Sequence, residues 1–402
     1  MTPRNSYYNL AAIEVTQRLR TKLNRRAFLA TCAASVAAAQ TTPEPIRNLK
    51  PMTDGVAPIT DAERAARVEK ARRLMREQKL SAILLPTGTS MYYFTGKRQP
   101  GQSWILAPKG EPVWCASEPA AMAHGLRDLG IAAGTVGLEE QTPFAMVAGL
   151  GKELPAITCA SATPVAAGCR MIKSPAEIAL MQHASDVTIA AYKAGLATLR
   201  EGMPENELSA NIGAAYRALG YSGYASAVFG IYTAFPHGSI QPQKLKEGDV
   251  VMIDDGCTVE GYQSDITRTV VFGKPSARQR QIWDLERRAQ DAALRAAQVG
   301  APCEAVDAAA RKVITDAGFG PGYKVPGLPH RTGHGIGLDG HEWTYLVRGN
   351  KTPIAPGMCF SDEPTISIYG EFGVRLEDCF YVTPDGPRMF SKQSPAIDQP
   401  FG

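Results

Sequence analysis

No two of the eight cysteines (Cys32, Cys115, Cys159, Cys169, Cys257, Cys303, Cys359 and Cys379) form a C-x-x-C pair. That excludes the usual zinc-ribbon and dithiol redox motifs. Nothing in their spacing specifies disulfides. A low-complexity tract is also missing, and 44% hydrophobic with 20% charged residues is ordinary for a globular chain. Strong charge of one sign is lacking as well. The net charge is +4, but residues 1–39 carry six basic side chains against Glu14, a net of +5, which leaves −1 for the rest. A body so close to neutral argues against nucleic acid as an obligate partner. Histidine is scarce, at six in 402 residues, so its placement carries information.

The basic N-terminus has a pattern of its own. Arg25 and Arg26 stand before an uncharged run from Phe28 to Ala39, closed by Ala37-Ala38-Ala39. Twelve residues are too few to span a bilayer, which needs about 20. Paired arginines, a short and weakly apolar run and small residues for cleavage resemble a twin-arginine export signal. Residues 1–39 are therefore expected to be a leader and the mature chain periplasmic, with no stable membrane insertion. If the leader is not used, the chain stays cytoplasmic. Cleavage after Ala39 would leave seven cysteines, an odd number, in a compartment that permits disulfides.

The remainder divides by its helix and strand signals. Residues 40–59 are rich in Pro, Thr and Asn and read as a linker. Thr60 with Glu63 predicts a capped helix to about Gln78, followed by strands near Ser81–Leu85 and Trp104–Ala107. Alternation of strand and helix continues to about residue 165, giving a small α/β domain over 60–168. Ser174-Pro175-Ala176-Glu177 opens a long helix, and Glu205 to Leu219 predicts its partner. Strand signals follow at Asp249–Asp254 and Thr267–Phe272. A second helix pair, from Ser276 and from Glu304, precedes strands at Cys359–Asp362 and Val374–Val382. The order helix–helix–hairpin thus occurs twice within 169–392, which implies an internal duplication and an α+β class. Residues 393–402 read as a tail.

The chemistry clusters in three places. The apolar run Val250-Val251-Met252-Ile253 ends in Asp254-Asp255-Gly256, and Asp265 follows eleven residues after Asp254. Asp is disfavoured in strands, so an acid there needs a reason. If 256–262 forms a turn, the two strands bring Asp254 and Asp265 together. Their mutual repulsion would raise one pKa unless a cation intervened. The second place is His330-Arg331-Thr332-Gly333-His334-Gly335, with His341-Glu342 beyond it. Three of the six histidines lie within these twelve residues, and a fourth, His237, sits in Phe235-Pro236-His237-Gly238. His124 and His183 fall on predicted helices and are assigned structural roles. The third place mirrors the first: Glu363 ends a strand and Glu377 follows fourteen residues later. Either acidic hairpin alone is weak evidence, and the first by itself reads better as solvated acids at a turn. Two of them in a duplicated unit, with a Gly-flanked His segment between, favour a metal centre. Four carboxylates and an imidazole suit hard or borderline divalent ions, manganese best, with cobalt, iron or zinc as alternatives. Five ligands exceed the need of one ion. Two ions about 3.5–4 Å apart could share a hydroxide and polarise a carbonyl, which is amide-hydrolysing chemistry.

Over about residues 170–385 these motifs resemble the pita-bread metallopeptidases, the family of aminopeptidase P, prolidase, methionine aminopeptidase and creatinase. The resemblance implies a C-terminal pita-bread domain with pseudo-two-fold duplication behind a creatinase-like α/β domain. It implies two divalent ions, with Asp254 on one, His334 and Glu363 on the other, and Asp265 and Glu377 bridging. Glu363 would also accept the proton of the attacking water. His237, His330 and His341 match the family's substrate- and transition-state-binding histidines, and Arg375 matches a supporting arginine. The implied activity is exopeptidase hydrolysis of Xaa-Pro bonds in proline-containing peptides, of prolidase or aminopeptidase P type, by a homodimer. The N-terminal domain argues against methionine aminopeptidase. The alternatives are an amide hydrolase or lyase of small metabolites on the same metals, and a non-catalytic binding module. A dimethylsulfoniopropionate-type lyase is expected to carry an acid where Met252 stands, and binding members lose ligands that are all present here. Two departures from the family pattern stand out. Asp255 occupies a position where an apolar or small residue is common, and strand alternation would point it away from the metals. Pro364-Thr365-Ile366-Ser367 replaces the commoner Pro-Gly-Ile-Tyr.

Overall fold

A computed structural model describes residues 42–235 and 238–401. The leader assigned to residues 1–39, with Arg25 and Arg26, lies outside the described residues, and so does His237. The segment read as a linker is built into the fold: helix α1 (Glu44–Arg47) buries Ile46, and Met52 donates its N–H to Leu219. Helix α2 (Asp61–Glu77) starts where the sequence indicates, with the Thr60 hydroxyl accepting from the Glu63 N–H at 3.2 Å. The reciprocal half of the capping box is absent. The Glu63 carboxylate turns instead to Arg67 (3.1 Å) and the Ser174 hydroxyl (2.6 Å), which ties α2 to the second half of the chain.

The α/β unit continues through β1 (Ala82–Pro86), α3 (Thr89–Thr95), β2 (Gln102–Leu106), β3 (Val113–Ala116), α4 (Pro119–Asp128), β4 (Gly134–Leu138), α5 (Phe144–Glu153), β5 (Ile157–Ser161) and α6 (Thr163–Arg170). The sheet order is β3-β2-β1-β4-β5, parallel across β1, β4 and β5 and antiparallel across β1, β2 and β3. Its central strand β1 is an apolar run buried on both faces, as a strand covered on both sides requires.

Beyond residue 174 the elements come in two rounds. Helix α7 (Pro175–Leu196) opens on a complete Ser174/Glu177 capping box and pairs with α8 (Glu205–Ala218). Then follow β6 (Ser222–Gly223), β7 (Ser226–Phe229), a 3-10 turn (Gly230–Ala234), β8 (Val250–Asp254), β9 (Cys257–Val259), β10 (Tyr262–Gln263) and β11 (Arg268–Val271). Helix α9 (Ala277–Ala296), capped by Ser276 and Gln279, pairs with α10 (Cys303–Asp316). The second round ends with β12 (Gly333–Gly335), β13 (Glu342–Leu346), β14 (Cys359–Asp362), β15 (Thr365–Ile368), β16 (Phe372–Arg375), β17 (Asp378–Thr383) and β18 (Gly386–Met389).

Two local readings change. The segment 256–262 is not a plain turn. β8 pairs with β11, while β9 and β10 make a hairpin of their own in a separate sheet with β6. The strand expected from Val374 to Val382 is broken at Leu376-Glu377, where the Glu377 N–H and carbonyl bond reciprocally to Thr267 at 3.2 Å. That exchange stitches the two hairpins together. The C-terminal stretch is packed rather than loose: Ile397 is buried, and the carbonyl of Pro400 accepts from Arg268 Nε at 3.1 Å. The seven described cysteines are free thiols. Among the described residues no helix is long and apolar enough to cross a membrane.

Candidate metal centre

Both hairpins deliver their acids at strand ends. In the second, β14 pairs with β17 in the register Asp362↔Asp378, so Glu363 and Glu377 follow as the next opposed positions. In the first, Arg268↔Ile253 makes Thr267, rather than Asp265, the residue opposite Asp254. Thr267 fills that role chemically. Its Oγ1 lies 2.5 Å from Asp254 Oδ1 and 2.7 Å from Glu377 Oε2, and Arg375 Nε donates to it at 3.0 Å. Arg375 also pairs with Asp254 through Nη2.

His334 enters from β12, whose glycines are steric necessities. A Cβ on Gly333 would sit 2.1 Å from the Ser361 carbonyl oxygen, and one on Gly335 2.7 Å from that of Glu342. His334 Nδ1 lies 3.0 Å from the Gly335 carbonyl. A proton on Nδ1 satisfies that contact and leaves the Nε2 lone pair facing Glu363 Oε1 at 3.2 Å and Asp265 Oδ2 at 3.7 Å. Asp265, His334 and Glu377 offer ligand atoms all within 4.8 Å of one another.

The electrostatics of this cluster are unbalanced. Burial, reinforced by the charges of Asp254 and Glu363, holds Asp265 well above the carboxylate range. Burial with Asp265 and Glu363 does the same to Glu377. Burial pushes Glu363 up to about 7, with Arg375 opposing and Asp254 adding. Only Asp254 falls below its ordinary value: burial raises it, but Arg375 and the hydrogen bonds from Thr267 and Glu377 outweigh that. Burial and the neighbouring His341 bring His334 down to about 3, so its imidazole is neutral. A hydroxyl has one proton. The single Thr267 proton is therefore shared between Asp254 and Glu377. Glu377 Oε1 is buried without a hydrogen-bond partner among the described residues. Four carboxylates, one oxygen without a partner and a bare imidazole nitrogen are a donor set that a divalent cation satisfies.

The remaining residues singled out in the sequence sit around this set. The His341 ring lies 4.0 Å from that of His334, centroid to centroid, and its Nδ1 is 3.2 Å from Arg331 Nη2. His330 Nε2 is 3.0 Å from Thr365 Oγ1, in the segment that departs from the family pattern. His124 is exposed on α4, and His183 bonds Tyr221 from α7 at 2.9 Å. Asp255 requires a correction. Alternation ends with β8, and Asp255 has φ 104°, so it lines the same small cavity as Asp254. Burial and then the Asp254 charge push its carboxyl up to about 6.

Several supporting residues escape a sequence reading centred on acids and histidines. Arg268, fully buried, donates to the Glu377 carbonyl (2.9 Å) and to Asp378 (2.7 Å). Asp307 and Arg311 on α10 hold the His330–Thr332 backbone: Asp307 accepts from the Thr332 N–H and hydroxyl (3.1 and 2.8 Å), and Arg311 donates to the His330 carbonyl. Glu342 accepts from the Leu338 N–H (2.8 Å) and from Arg170 (2.5 Å) and Lys173 (3.0 Å). Burial would raise its carboxyl, but Lys173 and Arg170 bring it down to about 2. This buried network fixes the loop that carries His341. Its sequence signal was adjacency, since Glu342 follows His341 and Thr267-Arg268 follow Asp265-Ile266. A cavity of about 760 Å³, lined among others by Thr89, Glu139, Asp339, His341 and Trp343, opens beside it.

Residues 179–384 match the model of metallopeptidase family M24, and residues 67–172 match the creatinase/prolidase N-terminal domain. A Xaa-Pro dipeptidase of Lactobacillus helveticus is 39% identical over 228 residues, covering 55% of this chain and 60% of that protein. The alignment thus spans about 60% of that relative's length. A Xaa-Pro dipeptidase of Pyrococcus horikoshii is 28% identical over 353 residues, covering 81% of this chain and 97% of the other. Among solved structures, dipeptidase PepE from Mycobacterium ulcerans superposes with a TM-score of 0.76 at 30% identity, covering 85% of this chain and 99% of that one. The α+β architecture, with helix–helix–hairpin repeated behind an α/β domain, is the pita-bread fold, whose family implies divalent metal ions. The chain belongs to metallopeptidase family M24.

Proposed function

We propose that this chain is a metal-dependent exopeptidase that hydrolyses Xaa-Pro peptide bonds. The observation that carries the reading is the convergence of Asp265, Glu363 and Glu377 on His334, with Asp254 joined to Glu377 through the Thr267 hydroxyl, in a chain whose relatives are named Xaa-Pro dipeptidases. In this reading residues 60–168 form the N-terminal domain and 169–392 the catalytic one. Asp254, Asp265, His334, Glu363 and Glu377 would hold two divalent ions, and manganese best suits the oxygen-rich set. When bound, such ions supply Lewis acidity to the scissile carbonyl and acidify water.

The chain's own residues do the rest. Glu363 is the residue assigned to take up the proton of the attacking water on its carboxyl and return it to the leaving proline nitrogen. His341, beside His334, and His330, braced by Thr365, orient the substrate and meet the charge that develops on its carbonyl oxygen. His237 is assigned to the same task. Arg375 and Thr267 fix Asp254 in place, so the ligand geometry exists before any ion arrives. Export by the paired-arginine leader and a homodimeric assembly complete the proposal.

A panel of Xaa-Pro dipeptides and Xaa-Pro-Xaa tripeptides with added manganese tests the activity and separates dipeptidase from aminopeptidase. No turnover of either class by protein that binds two ions per chain would refute the peptidase reading. Metal analysis that finds no bound ion after reconstitution with manganese or cobalt would refute the centre itself. Replacing Arg25 and Arg26 by lysine tests export: unchanged periplasmic accumulation would refute the leader.

A further inference from the structure

The cavity of about 760 Å³ beside the His341 loop has no part in the reading above. Its volume falls within the roughly 300–1,000 Å³ of sites that hold whole small ligands. Pro86 ends β1 and Leu138 ends β4, and the cavity lies where the chain leaves those strands, at Thr87 and Glu139. The two strands are parallel neighbours, yet β1 leads to β2 on one side and β4 leads to β5 on the other. A crevice outside strand ends at such a change of direction is where open α/β sheets take ligands. The other wall comes from the catalytic half, with Asp339, His341 and Trp343. The His341 ring lies 4.0 Å from that of His334, so the cavity begins beside the candidate metal centre.

The charges on these walls do not all cancel. Asp339 and Glu342 share Arg170 (2.6 and 2.5 Å), and Glu342 also holds Lys173, so both are compensated. Arg170 gives its remaining hydrogen bond to the Ser90 hydroxyl at 3.2 Å. Glu139 has no ion pair among the described residues. Burial raises its carboxyl, with the Ser90 hydroxyl and Arg170 opposing and Asp339 adding. Trp343 is 43% exposed, and no cation covers its indole among the described residues, whereas Arg331 already covers Tyr345 at 5.0 Å. A carboxylate without a cation and an open indole on one cavity suit a cationic side chain. The first offers it a charge-assisted hydrogen bond and the second a cation–π contact. An exopeptidase that cuts Xaa-Pro bonds has a single residue on the amino side of the cut, so a longer substrate extends only past the proline. We propose that this cavity takes the residue after the proline and that Glu139 and Trp343 select a lysine or arginine there. The proposal rests on the exopeptidase reading and names its substrate class, peptides that begin Xaa-Pro-Lys or Xaa-Pro-Arg.

The test uses full-length protein reconstituted with manganese, as wild type, Glu139→Gln, Glu139→Asp and Trp343→Leu. It compares kcat/KM for Leu-Pro-Lys and Leu-Pro-Met, whose third side chains are both long and unbranched, with Leu-Pro as the reference for turnover. Wild type should favour the lysine peptide by about tenfold, and a ratio under about threefold overturns the proposal. Glu139→Gln and Trp343→Leu should each lower that ratio by about fivefold. Glu139→Asp keeps the charge and should retain part of the preference. A purely structural role would move both tripeptides together and leave the ratio alone. A ratio within about twofold of wild type in either Glu139→Gln or Trp343→Leu therefore overturns the proposal. Hydrolysis of Leu-Pro with neither tripeptide cleaved also overturns it, and leaves the exopeptidase reading standing. A protein that hydrolyses none of the three refutes that reading separately, since calorimetric binding of the two tripeptides reads the lysine preference without turnover.

Discussion

Replacing Glu363 by glutamine should stabilise the metal-free fold at alkaline pH while changing little at acid pH. Glu363 is pushed from its ordinary 4.5 up to about 7 by burial, with the Asp254 charge adding and Arg375 as the main compensation. A carboxyl whose pKa is raised by folding binds its proton more tightly in the native state. Between 4.5 and 7 the native state therefore holds more protons than the unfolded chain, and stability falls as pH rises through that window. Shifting one group from 4.5 to about 7 costs about 2 to 3 kcal/mol between pH 5 and pH 8. Glutamine keeps the shape and carries no titrating proton, so it escapes that cost. The opposing titration of His334, neutral down to about 3, is present in both proteins and drops out of the difference. Urea unfolding of wild type and Glu363→Gln in excess chelator, at pH 5 and pH 8, measures the quantity directly. The variant should gain about 2 to 3 kcal/mol on wild type between the two values. Manganese at a hundredfold excess over Kd should cancel most of that advantage at pH 8, because an ion bound to the native ligands of wild type stabilises it by ~2.7 kcal/mol. A stability difference that is the same at both pH values within about 0.5 kcal/mol would refute the claim that this carboxylate is held against its own charge.

Three further expectations follow from the supporting residues. Thr267→Val removes the hydroxyl shared by Asp254 and Glu377, so manganese affinity should fall by about 10- to 100-fold in a titration; a change under twofold would remove Thr267 from the site. Gly333→Ala forces a methyl against the Ser361 carbonyl, so it should cost about 1–3 kcal/mol in unfolding and weaken metal binding through His334; normal stability and affinity would contradict the packing of β12 against β14. Arg170→Ala leaves Lys173 as the one cation on buried Glu342 among the described residues, so unfolding free energy should drop by about 1.5–3 kcal/mol. KM should rise in the same variant because Glu342 anchors the His341 loop, and unchanged KM would separate that anchor from substrate binding.

Much of the fold was legible because its signals are local. Ser174/Glu177 and Ser276/Gln279 both form complete capping boxes, since each needs only four consecutive residues. Thr60/Glu63 has the same pattern and loses half of it, because Glu63 finds Arg67 and Ser174 instead. Neither partner is visible from the cap itself. The acids of the site were legible for a different reason: carboxylates at the ends of apolar strands are costly enough to require an explanation. Asp255 shows the limit of that logic. Alternation assigns it to the opposite face, but the strand ends at Asp254 and the positive φ cancels the alternation.

What the sequence determined by itself was the set of groups. Two acidic hairpins, a histidine between glycines and a duplicated order of elements follow from residue type and spacing, which are properties of a few neighbours along the chain. The balance among those groups belongs to the folded arrangement instead. Thr267 rather than Asp265 stands opposite Asp254, Arg375 compensates Asp254, and burial raises the carboxyls of Glu377, Asp265 and Glu363. That balance depends on burial and on distances of about 3 Å between residues up to 121 apart in the chain, and a charge's energy is set by what surrounds it in space rather than by its sequence neighbours.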